Sequence, residues 1–499
     1  MKRTFWWNSI LNSIAFVADL ALKFLLLRLA LHRLGAELFA ILGILRVATT
    51  LPLFLIEGLS FAVFVRASRD PHPSEGAGEA VSVSALFGLL VGLLMVLLAP
   101  SLAAFFRIPP NHTNAAVLAF RLSGFTFFFT SVGYVLLHLL QGAGRFDLAT
   151  AARVSFSLIN SLLAIRLLQQ GYQIVALTAL ELGINAILVA VCIFLCSKTF
   201  RERLLPRFRL GRLRELWKET TGQILFSTAG KILWELDAVI IPRFFGIATM
   251  ASYWIAQRIP YTWMNVVWVG NWPAVPATAG DSDSQSRLEK IHWLQICLLL
   301  PVAAYLWTFA HEIILIWMGS DTGNAPRWMR FLIVACTIDL IAVTFISFLF
   351  GQGKVLRVNR ILIPAVVLKI LLAACAVFLR NLEFLLISTI AGAVVSTVGL
   401  YRVIWKETAV SLLRSLTPVF LSAVACAGSI FTIFLIPSPA SLLELILHAG
   451  IFAVFNFLMT LLLLRLFSLR NYLDLRNFLL ARKVNRPDAM TPRDDIIAR

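Results

Sequence analysis

Ionisable side chains set inside apolar runs are the residues of this chain that could do chemistry. Eight bases (Lys23, Arg28, Arg46, Arg121, Arg166, Lys231, Arg258 and Lys369) and six acids (Asp19, Glu57, Glu181, Glu235, Asp237 and Asp339) interrupt stretches rich in Leu, Val, Ile and Phe. Each such charge costs about 2.5–3.5 kcal/mol at the centre of a membrane helix. Arg28, Arg121 and Arg166 lie close enough to segment ends to snorkel. The others need a partner or a water-filled interior. Asp19 and Lys23 stand four residues apart on one helix face, and Lys231 and Glu235 repeat that spacing with the order reversed. Two readings stay open for these groups. They neutralise one another inside a bundle, or Asp19, Glu57, Glu181, Glu235 and Asp339 handle a coupling ion.

The most specific pattern is Trp254, Arg258, Tyr261, Asn265, Trp268 and Trp272, which fall on one helical face. Aromatic rings around an arginine and an asparagine suit sugars and phosphates, because C–H faces stack on rings while polar groups take hydrogen bonds. Pro260 beside them removes a helix hydrogen bond and favours a kink. Aromatic packing with interfacial belts is the competing account. The candidate substrate-binding residues are therefore Lys23, Arg46, Lys231, Trp254, Arg258, Tyr261, Asn265 and Lys369. Shorter polar faces occur at Arg153, Ser157 and Asn160, and at Thr178, Glu181 and Asn185. No catalytic residue, metal site or cofactor is expected. The six cysteines lie in apolar segments without metal-ligand spacing, His311-Glu312 has no HExxH context, and no phosphate-binding Gly-rich loop is present.

The elements that must position these residues are membrane helices. The chain has 499 residues, 59% hydrophobic and 14% charged, with mean hydropathy +0.85. That composition describes an all-α polytopic membrane protein in the lipid bilayer. About fourteen spans are expected, near 8–31, 38–64, 81–106, 115–139, 150–168, 173–196, 221–244, 248–275, 291–317, 328–350, 361–379, 384–405, 415–436 and 441–467, each long enough to cross about 30 Å. The net charge of +18 could suggest a nucleic-acid partner, but no nucleic-acid-binding motif accompanies it. The cations instead gather on one side of the spans. Ser197 to Thr221 alone carries Lys198, Arg201, Arg203, Arg207, Arg209, Arg212, Arg214 and Lys218. Opposite loops hold only Arg33, Arg107, Arg243, Arg327, Arg330 and Arg380. This asymmetry places the basic stretch and both termini in the cytoplasm. The tail from Arg470 begins as an amphipathic segment and then turns polar.

Landmarks recur along the chain. Gly142-Ala143-Gly144-Arg145 returns as Gly351-Gln352-Gly353-Lys354, and Leu34-Gly35 before Arg46 returns as Phe245-Gly246 before Gln257-Arg258. A duplication of six helices would produce two lobes of the same orientation, an arrangement known among transporters. The expected organisation is a lobe over 1–196, a basic linker over 197–220, a second lobe over 221–405, two further helices over 406–467 and a tail over 468–499.

The pattern resembles the multidrug, oligosaccharidyl-lipid and polysaccharide exporter superfamily, which includes the MATE-like exporters, and within it the Wzx-like polysaccharide flippases. The residues that carry it are Asn8 to Gly35 with the turn Arg33-Leu34-Gly35-Ala36-Glu37, Ile56-Glu57-Gly58-Leu59, Gln141-Gly142-Ala143-Gly144-Arg145, and Asp237 through Gly246 to Tyr253. Where the family shows an Asp-Leu-Gly type turn, this chain has Glu57-Gly58. The resemblance implies two six-helix lobes around a central cavity plus two C-terminal helices, in the bacterial inner membrane. It implies a lipid-linked anionic glycan, undecaprenyl-pyrophosphate-bearing, as the substrate of a flippase rather than of an enzyme. An ion-coupled small-molecule antiporter is the alternative. A proton or sodium gradient and the polysaccharide polymerase machinery are further candidate partners.

Overall fold

The computed structural model describes residues 2–69, 77–200, 210–271, 284–319, 322–407, 412–433 and 437–466. The centre of the basic stretch (201–209), Trp272 and the C-terminal tail lie outside the described residues. Fourteen helical rods follow one another in the part described. Lys2–Thr50 is broken at Gly35 (φ 75°) into α1 and α2, and α2 continues through the 3-10 turn Leu51–Leu53 into Phe54–Arg69. Then come α3 (Ala77–Leu97 with Ala99–Phe105), α4 (Pro110–Gly142), α5 (Phe146–Gln169), α6 (Ile174–Phe200), α7 (Leu210–Phe244) and α8 (Ile247–Asn271). The remainder are α9 (Ser284–Thr308 with Ala310–Met318), α10 (Ala325–Ile341 with Val343–Gly351), α11 (Val355–Phe378), α12 (Leu382–Glu407), α13 (Leu412–Ile433) and α14 (Leu442–Leu466). Both α6 and α7 extend past the expected ends of their spans into the basic stretch, where the charged sequence carries the helix beyond its apolar part. The helix of α8 runs on through Pro260.

By length and apolarity, ten stretches qualify as membrane-crossing, with α1 and α2 joined as Ala18–Phe64. The rods that do not qualify are α7, α8 and the shorter apolar part of α13. That failure is informative, because α7 and α8 carry Lys231, Glu235, Asp237 and Arg258. A helix too polar for lipid must face protein or water. Leu90 of α3 and Leu443 of α14, by contrast, are exposed with no protein covering them, as a lipid-facing surface requires.

Packing repeats with a period of six helices. α2 packs on α4, α3 on α4, α4 on α6, α5 on α6 and the α1–α2 stretch on α5. The same relations recur as α8 on α10, α9 on α10, α10 on α12, α11 on α12 and α7 on α11. Backbone breakpoints repeat too. Positive φ occurs at Gly35 and Gly246 (211 residues apart), Arg107 and Gly319 (212), Gly144 and Gly353 (209), and Gly171 and Arg380 (209). The two arginines tolerate φ near 50° with some strain, whereas glycine has no Cβ to clash there. The copies meet where α2 packs on α7 and the α1–α2 stretch on α8. Elsewhere His32 contacts the Met318 carbonyl at 2.8 Å, Trp317 Nε1 donates to the Phe24 carbonyl at 3.0 Å, and Arg243 donates to the Phe105 carbonyl at 2.9 Å. α13 and α14 lie outside this pair and pack on α9 and on each other.

Candidate functional site

The seam between the copies collects seven of the fourteen ionisable residues that the sequence singles out. On α1, Asp19 accepts from Lys23 Nζ at 2.7 Å, the bond that a four-residue spacing permits. On α7, Lys231 pairs with Glu235 at 3.0 Å, and its Nζ also reaches Glu57 of α2 at 3.1 Å. Thr50, at the entry to the 3-10 turn of α2, donates to the other Glu235 oxygen at 2.8 Å. This group joins the copies: one lysine between two carboxylates, all partly shielded from solvent. Tyr134 of α4 is within electrostatic reach of Glu57 and Lys231. Thr50 and Tyr134 are neutral, so a reading that starts from charges in apolar runs passes over them.

Arg46 and Arg258 stand differently. Lys23 is within electrostatic reach of both, and Arg258 of Arg46. Neither arginine makes an ion pair among the described residues; Arg46 is exposed and Arg258 is half-buried. Their numbers differ by 212, against 211 for Gly35 and Gly246 that open their helices, so they stand within one residue of equivalent places in the two copies. The backbones approach closely here because Gly43 leaves room for Trp254: a Cβ on Gly43 would stand 2.9 Å from the indole. Trp254 also packs on Phe39, with ring centroids 4.7 Å apart. Two guanidinium groups and one ammonium therefore converge where a single carboxylate, that of Asp19, offsets one of them.

The aromatic face of α8 is divided among neighbours. Trp254 is buried against α2, Tyr261 donates to the Trp234 carbonyl and meets that ring edge-on, and Trp268 packs on Phe226. Among the described residues of the face only Asn265 is exposed, and Arg258 is half-buried. The common face exists, but its three described rings serve packing, because α8 touches α2, α7 and α10 at once.

Lys369 does not join the seam. It is fully buried within the second copy, where Nζ donates to the Leu233 carbonyl at 2.7 Å and to Thr389 Oγ1 at 2.6 Å and lies 2.9 Å from Asp237 Oδ1. Asp339 of α10 is buried beside Ser396 and Cys336, and Glu181 of α6 makes no ion pair among the described residues. No group of three or more His, Cys, Asp or Glu side chains able to hold a metal occurs among the described residues.

Comparisons with known proteins agree with this architecture. A family model described as "Polysaccharide biosynthesis protein" matches residues 36–323. No curated protein matches the chain by sequence. Among solved structures, the lipid II flippase MurJ in an inward closed conformation superposes with a TM-score of 0.73 at 12% identity, over 91% of this chain and 99% of that one. An inward-facing multidrug resistance MATE transporter of the MOP superfamily gives 0.61 at 18% identity, over 80% and 96%. A Vibrio cholerae MATE transporter gives 0.60 at 14%, over 83% and 99%. At these identities the likeness is one of fold.

Proposed function

The chain belongs to the polysaccharide biosynthesis protein family, and on that premise we propose that it is a flippase for an undecaprenyl-pyrophosphate-linked oligosaccharide, turned from the cytoplasmic to the periplasmic leaflet of a bacterial inner membrane. The observation that carries this reading is the unpaired Arg46–Arg258 couple, supplied once by each copy at the seam. A pyrophosphate is a compact dianion with oxygens at both ends. Two guanidinium forks in equivalent positions can each take one phosphate bidentately, and Lys23 adds a third donor. The two charges also offset the desolvation of the headgroup as it enters the protein. The exposed Asn265 on the same helix would face the adjoining sugars.

In this reading the lobes are 1–196 and 221–405, linked by 197–220, with accessory helices over 406–467 and a cytoplasmic tail over 468–499. Transport requires the seam to part on one side at a time. Glu57, Lys231 and Glu235 cross it, so a proton or sodium gradient would act there by changing how many carboxylates Lys231 must satisfy.

Export complementation tests the proposal. One buried phosphate contact through a guanidinium is worth about 1.5–3 kcal/mol, so Arg258→Ala should weaken headgroup engagement about ten- to hundredfold. Arg258→Lys should keep part of the activity, since charge survives without the planar fork. Normal export by a normally abundant Arg258→Ala protein would remove the residue from the mechanism. Reporter fusions at Lys218 and the tail should read cytoplasm, and those at Asn111 and Asn324 periplasm. The antiporter alternative rests on the net negative Glu57–Lys231–Glu235 group, which could attract an organic cation. Cells lacking the protein would then become drug-sensitive while exporting polysaccharide normally.

A further inference from the structure

We propose that the end of the seam opposite the basic stretch opens as a door, hinged where α1 is pinned to the end of α9 and latched by Arg243 against the end of α3. The helices α1, α3, α7 and α9 all finish at this end, and each copy sends its first helix to cap the third helix of the other. A helix leaves its last carbonyls without partners and with partial negative charge, so basic side chains are suited to meet them. His32 Nε2 stands 2.8 Å from the Met318 carbonyl, in the last turn of α9, and Arg243 donates to the Phe105 carbonyl, in the last turn of α3, at 2.9 Å. His32 lies three residues before Gly35 and Arg243 three before Gly246, the glycines of positive φ that follow α1 and α7. The two caps are thus one arrangement made twice.

The two halves differ in what surrounds the cap. At α1, Trp317 Nε1 also donates to the Phe24 carbonyl at 3.0 Å and meets the Phe24 ring edge-on, with centroids 4.9 Å apart. Arg28, one turn on, lies against Gly319, where a Cβ would stand 2.8 Å from the guanidinium. Leu27, Ala30 and Leu34 of α1 and Ile313, Ile314 and Met318 of α9 belong to one buried apolar core. Contacts spread from Phe24 to His32 hold the direction of α1 as well as its distance, so this half can turn but not part. At α7 a single hydrogen bond crosses to α3 among the described residues, with the Arg243 guanidinium over the Phe105 ring at 5.2 Å. Phe105 and Phe244 are both exposed. The turn after α3 is made by Arg107 at φ 53°, a left-handed conformation that Gly319 adopts after α9 without a Cβ to clash. One exposed bond beside a strained turn is the part that yields first.

Hydrogen exchange of the purified wild type tests this without reference to any cargo. Amides at the ends of α3 and α7, in peptides covering 102–108 and 241–247, should exchange about tenfold faster or more than the matching amides of α9 and α1, in peptides covering 313–319 and 28–35. Equal rates, or faster exchange at the α1–α9 half, overturn the proposal. Stapling is the second test, and it rests on the export reading above. In a protein whose six cysteines are replaced by alanine, Phe24→Cys with Trp317→Cys, and separately Phe105→Cys with Arg243→Cys, are bridged by a short bis-methanethiosulfonate. Export is compared before bridging, after it and after reduction. The α1–α9 staple should leave at least half of the export, whereas the α3–α7 staple should lower it about tenfold or more, with reduction restoring it. Loss of export with the first staple, or normal export with the second, overturns the proposal. Should the cysteine-free protein export nothing, the exchange rates decide.

Discussion

The two copies of the six-helix unit keep one charge and change others, and the pattern separates what lies at the seam from what lies inside a lobe. Arg46 and Arg258 are the retained pair. Near the same place in α1 and α7 each copy carries a pair four residues apart, Asp19 with Lys23 and Lys231 with Glu235, with the polarity reversed. In the first copy the pair stands beside Arg46 and Arg258; in the second it is drawn to Glu57 across the seam. Deeper in the second lobe Asp237, Lys369 and Thr389 form a buried polar group, where offsets of 211, 209 and 209 residues lead to Leu26, Asn160 and Leu180 in the first. The lesson is that a doubled scaffold leaves identical groups where a two-ended anion would sit, and lets each lobe solve its internal packing separately.

The largest effect should come from removing both retained charges. Arg46→Ala with Arg258→Ala should abolish export at normal membrane abundance, with a loss exceeding that of either single change. If either arginine alone proves dispensable, the symmetry of the couple has no functional meaning. Next in size is Lys231→Ala, which leaves Glu57 and Glu235 facing each other in a shielded place and should cost about 2–3 kcal/mol of stability. Adding Glu57→Gln should return about half of that loss in a double-mutant cycle; strict additivity would mean that the bond across the seam carries no coupling. Exchanging the first pair to match the second, Asp19→Lys with Lys23→Asp, should alter stability by under about 1 kcal/mol and weaken headgroup binding only a few-fold. The smallest effects belong to the breakpoints. Gly171→Ala, at φ 84°, should cost about 1 kcal/mol, whereas Arg380→Gly, at the matching place with φ 50°, should be neutral or slightly stabilising. Equal losses at both would break the equivalence of the two turns.

Much of this was legible in the residues. Fourteen apolar runs separated by Gly, Pro and charge become fourteen rods, because each must satisfy its own backbone inside lipid. The Gly35 and Gly246 landmarks and the recurrence of arginine after them also foreshadow the repeat. The partner of a buried charge is harder to read. Lys369 and Arg258 look alike as single cations in apolar segments, yet one is sealed by Asp237 and Thr389 from helices distant in sequence, and the other makes no ion pair among the described residues. Spacing along one helix cannot reveal what a second helix brings. The face of α8 shows the same limit: its periodicity puts Trp254, Arg258 and Tyr261 on one side, but α2 and α7 take the rings of Trp254, Tyr261 and Trp268 for packing.

The most direct test of the central claim is the affinity of the purified protein for undecaprenyl pyrophosphate, undecaprenyl monophosphate and neutral undecaprenol, measured for the wild type and for the double Arg46→Ala, Arg258→Ala variant. The account predicts that the wild type binds the pyrophosphate at least tenfold more tightly than the monophosphate and far more tightly than the alcohol, and that the double variant binds all three alike. Equal affinity of the wild type for the pyrophosphate and the alcohol, or an undiminished preference in the double variant, would contradict it.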